Sequence, residues 1–267
     1  MNIILGVEKQ GSNLNLDFLW QTLGASSPID GFDLYLAPNQ PHQVLGLDQS
    51  LIAGVRHDDL AMVYATLKGI CLAAQERKLQ KTALACFFDA EETGSLTTSG
   101  AHSNFLNHIL SRILAKQNTQ RAKKSHLSQA LSKSFLISAD MAHALHPGYE
   151  DKHDSNNKPV INQGIVLKEN ANDRYASSGE SLAIAKGLCE AAATPYQTFV
   201  SRQDLRCGST VGPILASQLG CQTVDLGMAM GGMHSICETM GTEDMKYAIA
   251  LFERFFYFRK NPFFDCF

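Results

Sequence analysis

Along this chain short apolar runs alternate with longer stretches in which apolar residues recur every three or four positions. Residues 83–88, 134–139, 165–168, 196–200 and 222–226 read as strands. Residues 60–75, 104–115, 180–192, 211–219 and 245–256 carry the period of helices packed on a sheet. In 104–115 the spacing is explicit, with Phe105, Ile109, Leu110, Ile113 and Leu114 on one face. Strands separated by helices of these lengths predict an α/β fold, a three-layer sandwich around a largely parallel central sheet.

The first 45 residues read differently. Residues 14–23 form a short helical pattern stopped by Gly24, and 32–36 alternate like a strand until Pro38, Asn39 and Pro41 break it. This piece has too few apolar positions for a core of its own. The expectation is an attached layer over 1–45 and a main domain over 46–267.

Composition narrows the function classes. The 267 residues are 45% hydrophobic and 18% charged, ordinary values for a globular chain with an ample core. A net charge of -3 gives no electrostatic reason to expect nucleic acid or an anionic membrane. No run approaches the roughly 18 apolar residues of a membrane span, and a signal peptide's charged start and cleavage site are missing. The seven cysteines are odd in number, scattered and free of any Cys-x-x-Cys pair. Thiols in a reducing compartment fit this better than a disulfide framework, so a cytoplasmic location is expected.

Candidate chemistry gathers where apolar runs end. Leu84-Ala-Cys-Phe-Phe-Asp-Ala-Glu-Glu92, Phe135-Leu-Ile-Ser-Ala-Asp140 and Val224-Asp-Leu-Gly-Met-Ala-Met-Gly-Gly-Met-His234 each carry an apolar strand into side chains that bind metals. Ligands collect at the carboxyl ends of strands in open α/β sheets, so these ends are expected to share one pocket for hydrolytic metal ions. Adjacent carboxylates such as Glu91 and Glu92 repel unless a cation or proton separates them. At a strand-to-turn junction their side chains diverge, so one can bind a metal while the other serves as general base. Asp58 and Asp59 stand at a helix start, where capping and bridging two ions are both open roles. Asp140 ends an apolar strand and needs a metal, a donor or a cation as partner. His234, after Gly231-Gly232, reads as a ligand or as a core or capping histidine. Paired hydrolytic metals lie roughly 3.5–4 Å apart. Such a site typically wants a bridging carboxylate, plus one further carboxylate and one His for each ion. Asp58, Glu92, Asp140 and His234 are the candidates for it, and no second His stands out.

Five motifs in order then resemble the aspartyl aminopeptidases, di-zinc exopeptidases that remove N-terminal acidic residues. They are Asp89-Ala-Glu-Glu-Thr-Gly-Ser95, Ser134-Phe-Leu-Ile-Ser-Ala-Asp-Met-Ala-His-Ala-Leu-His-Pro147, Lys168-Glu-Asn-Ala-Asn-Asp-Arg-Tyr-Ala176, Cys207-Gly-Ser-Thr-Val-Gly-Pro213 and Met233-His-Ser235. The resemblance implies a zinc-exopeptidase-like fold with Asp58 as bridging ligand, Glu92 and His234 completing one zinc site, and Asp140 on the other. It makes Glu91 the general base that takes a proton from the metal-bound water. His143, Lys168 and Tyr175 match positions lining the substrate pocket, and the Lys168 ammonium can pair with an acidic side chain.

The chain also departs from the pattern. Asp58-Asp59 stands where the family has Asp-Asn, Thr93 replaces an apolar residue, and Cys237 takes the place of an Arg. The family's first metal-binding His has no counterpart, and residues 1–45 resemble only the tail of an inserted dimerisation domain. The expected function is therefore a zinc aminopeptidase for N-terminal Asp or Glu, with one or two Zn ions and Mn or Co as substitutes. Its partners would be small peptides, with a homo-oligomer or a complementing N-terminal half possible. The alternative is an inactive or split-enzyme fragment that acts by binding a partner.

Overall fold

The computed structural model describes residues 16–257 apart from 28, 34, 77, 78, 80 and 118–123. The chain divides into two compact units, Met1–Asn39 and Gln40–Phe267. In the first, helix α1 (Leu16–Thr22) ends just before Gly24, whose φ of 79° suits a residue without a side chain. The Trp20 ring packs edge-on against Phe32 at 4.6 Å between centroids. The strand expected over 32–36 has no ladder at its described positions, where the side chains of Phe32, Tyr35 and Leu36 are exposed.

The second unit carries two sheets. One is built from β1 (Gln43–Leu45), β2 (Leu51–Gly54), β4 (Ala142–His143), β8 (Ala229–Gly231) and β9 (Glu238–Gly241), in the order β1-β2-β9-β8-β4. The other holds β3 (Phe135–Ala139), β5 (Ile165–Glu169), β6 (Tyr196–Val200) and β7 (Gln222–Gly227), in the order β3-β7-β5-β6. Within this sheet β3–β7 and β5–β6 are parallel, while β5 and β7 meet antiparallel.

Helices cover both faces of the four-stranded sheet. Alternation along the strands decides which face each residue serves. Ile137, Ile165, Leu167, Val224 and Leu226 join one core with Met62 and Ala65 of α2 (His57–Glu76), Ala185 and Leu188 of α5 (Gly179–Ala191), and Leu251 and Phe252 of α7 (Thr242–Tyr257). Leu136 turns the other way, toward Leu106 and Leu110 of α3 (Phe105–Gln117), Leu131 of α4 (Lys124–Leu131), and Leu215 and Leu219 of α6 (Gly212–Leu219). This is the three-layer α/β arrangement, with a mixed sheet at its centre.

Local chemistry sets the helix ends. Ser178 caps α5 reciprocally with Ser181, each side chain accepting the other's backbone N–H. Regular geometry in α2 begins only at Leu60, because Asp58 and Asp59 have non-helical backbones. The strand expected over 83–88 has no ladder. Cys86 and Phe88 pack against the α3–α6 core, but Leu84 and Phe87 are exposed, and no described strand runs beside the segment. A strand needs a hydrogen-bonding neighbour as well as an apolar face. Among the described residues no helix is long and apolar enough to cross a membrane, and the six cysteines there are free thiols.

Candidate active site

Two strand pairs run out of one sheet into the other at a shared bend. After β3 the Asp140 N–H donates to Leu226 O at 3.0 Å, and Ala142 N–H then donates to Met228 O at 2.9 Å. Gly227 permits this crossing, since a Cβ there would run into the Asp140 carbonyl. The bend sends the Asp140 carboxylate toward Asp58 and Asp59 at the entry to α2.

Glu91 and Glu92 occupy a single 3₁₀ turn, Glu91–Thr93, set between Ala90 at φ 58° and Gly94 at φ 98°. His234 sits in the β8–β9 turn at φ 66°, a left-handed conformation uncommon for a residue with a side chain. Its Nε2 lies 3.1 Å from Asp58 Oδ2 and 3.1 Å from Glu92 Oε2. Asp58 is the buried floor of this trio, at 7% side-chain exposure, whereas His234 and Glu92 stand at the open mouth.

Asp58 belongs to two groups of possible ligands. The first is Asp58, Glu92 and His234; the second is Asp58, Asp59 and Asp140, and in each the donor atoms lie within 4.8 Å of one another. Burial, then the Asp140 and Glu92 charges, push Asp58 up to about 8. Burial, then Asp140 and Asp58, hold Asp59 well above the usual carboxylate range. Burial, then Asp140 and Glu92, raise Glu91 to about 7. Carboxylates forced upward by burial and by each other mark a place where positive charge is wanted. Two carboxylate oxygens and an imidazole nitrogen are donors that zinc accepts, so the first group fits the ion chemically.

Lys168 is the internal cation of this cluster. It is 2% exposed on β5, and its Nζ donates to Asp140 Oδ2 at 2.9 Å and to Met141 O at 2.7 Å. The same Nζ lies 5.5 Å from the centre of the Tyr175 ring. Tyr175 is buried, and its hydroxyl accepts from Cys207 Sγ at 3.5 Å. His143 packs near Phe199, 6.4 Å between ring centres, and burial followed by the Lys168 charge lowers its affinity for a proton.

All eight residues singled out from the sequence therefore fall in one region. Asp58, Glu92 and His234 meet directly, and Asp140 meets Asp58 and Lys168. Glu91 lies within electrostatic reach of Asp140, Glu92, Lys168 and His234. Tyr175 and His143 flank Lys168. Sequence reasoning missed Glu238, whose carboxylate holds two of these residues by their backbones. No sequence signal pointed to it, since Glu238 opens the short stretch Glu238-Thr-Met-Gly241, which has no apolar run. It also missed Asp225, a buried carboxylate in the middle of β7.

Comparison with known proteins places this arrangement. The chain is 40% identical over 225 residues to a probable M18 family aminopeptidase 2 of Stutzerimonas stutzeri, covering 84% of this chain and 50% of that protein. It is 41% identical over 236 residues to aspartyl aminopeptidase 4 of Saccharomyces cerevisiae, covering 85% and 48%. Among solved structures, that of an Ape4 and Nbr1 complex matches with a TM-score of 0.77 at 36% identity, over 83% of this chain and 42% of the other. The crystal structure of yeast aminopeptidase 1 matches with a TM-score of 0.78 at 28% identity, over 90% and 54%. The chain thus spans about half the length of the curated relatives it matches. Residues 12–256 match the family described as Aminopeptidase I zinc metalloprotease (M18), and it is to this family that the chain belongs.

Proposed function

We propose that the chain forms the catalytic part of a zinc aminopeptidase, with 46–267 as the working domain and 1–45 as an attached piece. The observation that carries this reading is the meeting of Asp58, Glu92 and His234, with His234 Nε2 at 3.1 Å from a carboxylate oxygen of each. These three residues would hold a zinc ion, with Mn or Co as substitutes. When bound, the ion would polarise a peptide carbonyl and acidify a water at the site.

The remaining work falls to the chain's own side chains. Glu91, poised at about 7 and beside the trio, is the general base. It takes a proton from the attacking water as the water oxygen joins the carbonyl carbon. It returns that proton to the leaving nitrogen as the C–N bond breaks. Lys168 spends two of its three donors on Asp140 and Met141, which leaves one for a carboxylate brought by the substrate. With Tyr175 and His143 beside it, this donor supports selection of N-terminal Asp or Glu. The yeast aspartyl aminopeptidase among the relatives supports the same class of substrate. One of the matching structures is described as a dodecamer, so assembly into a homo-oligomer is part of the proposal. Free thiols support a cytoplasmic setting.

A second reading is favoured by segment 83–88, which joins no described strand and where Leu84 and Phe87 face solvent. Here the chain is one part of a split enzyme, and activity requires a complementing N-terminal half. Hydrolysis of Glu- and Asp-aminoacyl chromogenic substrates with Zn²⁺, Mn²⁺ or Co²⁺ separates the two, with Glu91→Gln purified in parallel. Metal-dependent turnover that falls about 10²–10⁴-fold in the variant is expected of the aminopeptidase. Turnover equal in both chains would sink it and favour the split enzyme.

A further inference from the structure

We infer that this chain holds one divalent ion rather than two, the Lys168 ammonium serving as the built-in cation for the second group of carboxylates. The inference rests on the reading of Asp58, Glu92 and His234 as a zinc site, and it concerns what lies beside them.

Three observations carry it. The second group, Asp58, Asp59 and Asp140, offers only carboxylate oxygens, with no imidazole among them. Zinc sites draw on His or Cys as well, and an all-oxygen set is the preference of harder ions. Next, one of the three carboxylates already has a positive charge against it. Lys168 Nζ stands 2.9 Å from Asp140 Oδ2, itself one of the would-be ligands, and Met141 O at 2.7 Å fixes it from the other side. For an ion to bind Asp140, a side chain at 2% exposure would have to leave both bonds or accept a doubly charged neighbour. Finally, the two ends of the cluster have separate cations. One divalent ion would sit among Asp58, Glu92 and His234, and Lys168 is paired with Asp140. A tethered ammonium needs no supply from solution, so its hold on Asp140 does not depend on the concentration of free metal.

The inference departs from the two-ion arrangement implied by resemblance to the aspartyl aminopeptidases. It also gives Lys168 a double duty. The ammonium that pairs with Asp140 is the same group whose remaining donor the proposed function assigns to the substrate.

The test counts ions. The chain is stripped with a chelator and titrated calorimetrically with Zn²⁺, then loaded with Mn²⁺ for electron paramagnetic resonance. One tight Zn²⁺ per chain and the spectrum of an isolated Mn²⁺ are expected. Lys168→Met is expected to take up two Zn²⁺ and to show the exchange-coupled signal of a Mn²⁺ pair. Two tight ions in the unaltered chain would overturn the inference and leave the zinc reading intact. No tight ion at all would overturn both. A folded Lys168→Met chain that still binds a single ion would show that the lysine is not what keeps the second one out. If that variant fails to fold, the count in the unaltered chain still decides.

Discussion

Glu238 holds His234 in place through the main chain, its Oε1 accepting the His234 N–H at 2.9 Å. The other oxygen, Oε2, accepts the Asp58 N–H at 3.2 Å. One buried carboxylate at the start of β9 thereby sets the spacing of two side chains, those of Asp58 and His234, that lie far apart in sequence. His234 depends on this support, because its left-handed backbone is not one a histidine adopts freely. Replacing Glu238 with Gln turns one acceptor into a donor aimed at an N–H. Groups that orient metal ligands typically contribute about 10–100-fold to affinity, and Glu238→Gln is expected to weaken Zn²⁺ binding by that much. Competition against a chromogenic chelator measures it, and an unchanged affinity would remove Glu238 from the site's support.

Asp59 is a second carboxyl with an unusual burden. Its Oδ1 is buried without a partner among the described residues, and burial with Asp140 and Asp58 nearby pushes it well above the usual range. A carboxyl raised in the folded state favours folding while it is protonated in both states. That contribution is lost as pH rises past the unfolded value toward the folded one. A neutral amide of the same shape has no such loss. Asp59→Asn is therefore expected to stabilise the metal-free chain by about 1–3 kcal/mol at pH 8 and by less at pH 5. Thermal unfolding at the two pH values checks this, and a variant less stable at both would contradict it.

The alternation of strand and helix was legible because each core strand has apolar residues on both faces and each helix an apolar stripe. Ile137 and Leu136 show this on β3, packing into opposite layers. Residues 83–88 misled because an apolar run reports burial and not pairing; Cys86 and Phe88 account for the pattern with no neighbouring strand. The site's side chains were legible as motifs at strand ends, since Glu92, Asp140 and His234 all follow apolar runs. What joins them was not. Glu238 acts on backbone N–H groups, which every residue has, so nothing in its own sequence surroundings announces the contact. The Lys168–Asp140 pair spans 28 residues and depends on the bend after β3, which periodicity cannot place.

Asp225 joins the two loops that carry Tyr175 and Cys207. Its Oδ2 accepts the Ala176 N–H at 2.6 Å and its Oδ1 accepts the Thr210 hydroxyl at 2.5 Å. Gly212 lies against this carboxylate, and a Cβ there would collide with it. Because the carboxylate is fully buried and bonded on both oxygens, it cannot swing aside. Gly212→Ala is expected to destabilise the fold by about 1–3 kcal/mol, as overpacking does. It should also loosen the Tyr175–Cys207 contact and speed alkylation of Cys207. Mass spectrometry of the labelled thiol distinguishes that effect from a general loss of stability, and a Cys207 rate equal to that of the unaltered chain would break the proposed link.

Asp244 gives the fold a pH dependence independent of the metal site. It lies in the first turn of α7, fully buried, with Oδ2 accepting from Asn162 N–H at 2.6 Å and Oδ1 from Gly164 N–H at 2.9 Å. Burial raises it from the ordinary 3.8 to about 6, while the two N–H donors pull it partly back. Between those values the folded chain binds a proton that the unfolded chain releases, so stability falls as pH rises through the window. At about 1.4 kcal/mol per unit the loss is at most about 3 kcal/mol. Asp244→Asn abolishes this titration but leaves one N–H facing an amide donor, at a constant cost of about 1–3 kcal/mol. The stability difference between the two chains cancels the carboxylates they share. It should be largest near pH 4 and shrink by pH 7, as read from denaturant unfolding across that range. A difference that grows with pH would mean that Asp244 is stabilised as the anion, and that its two N–H donors outweigh its burial.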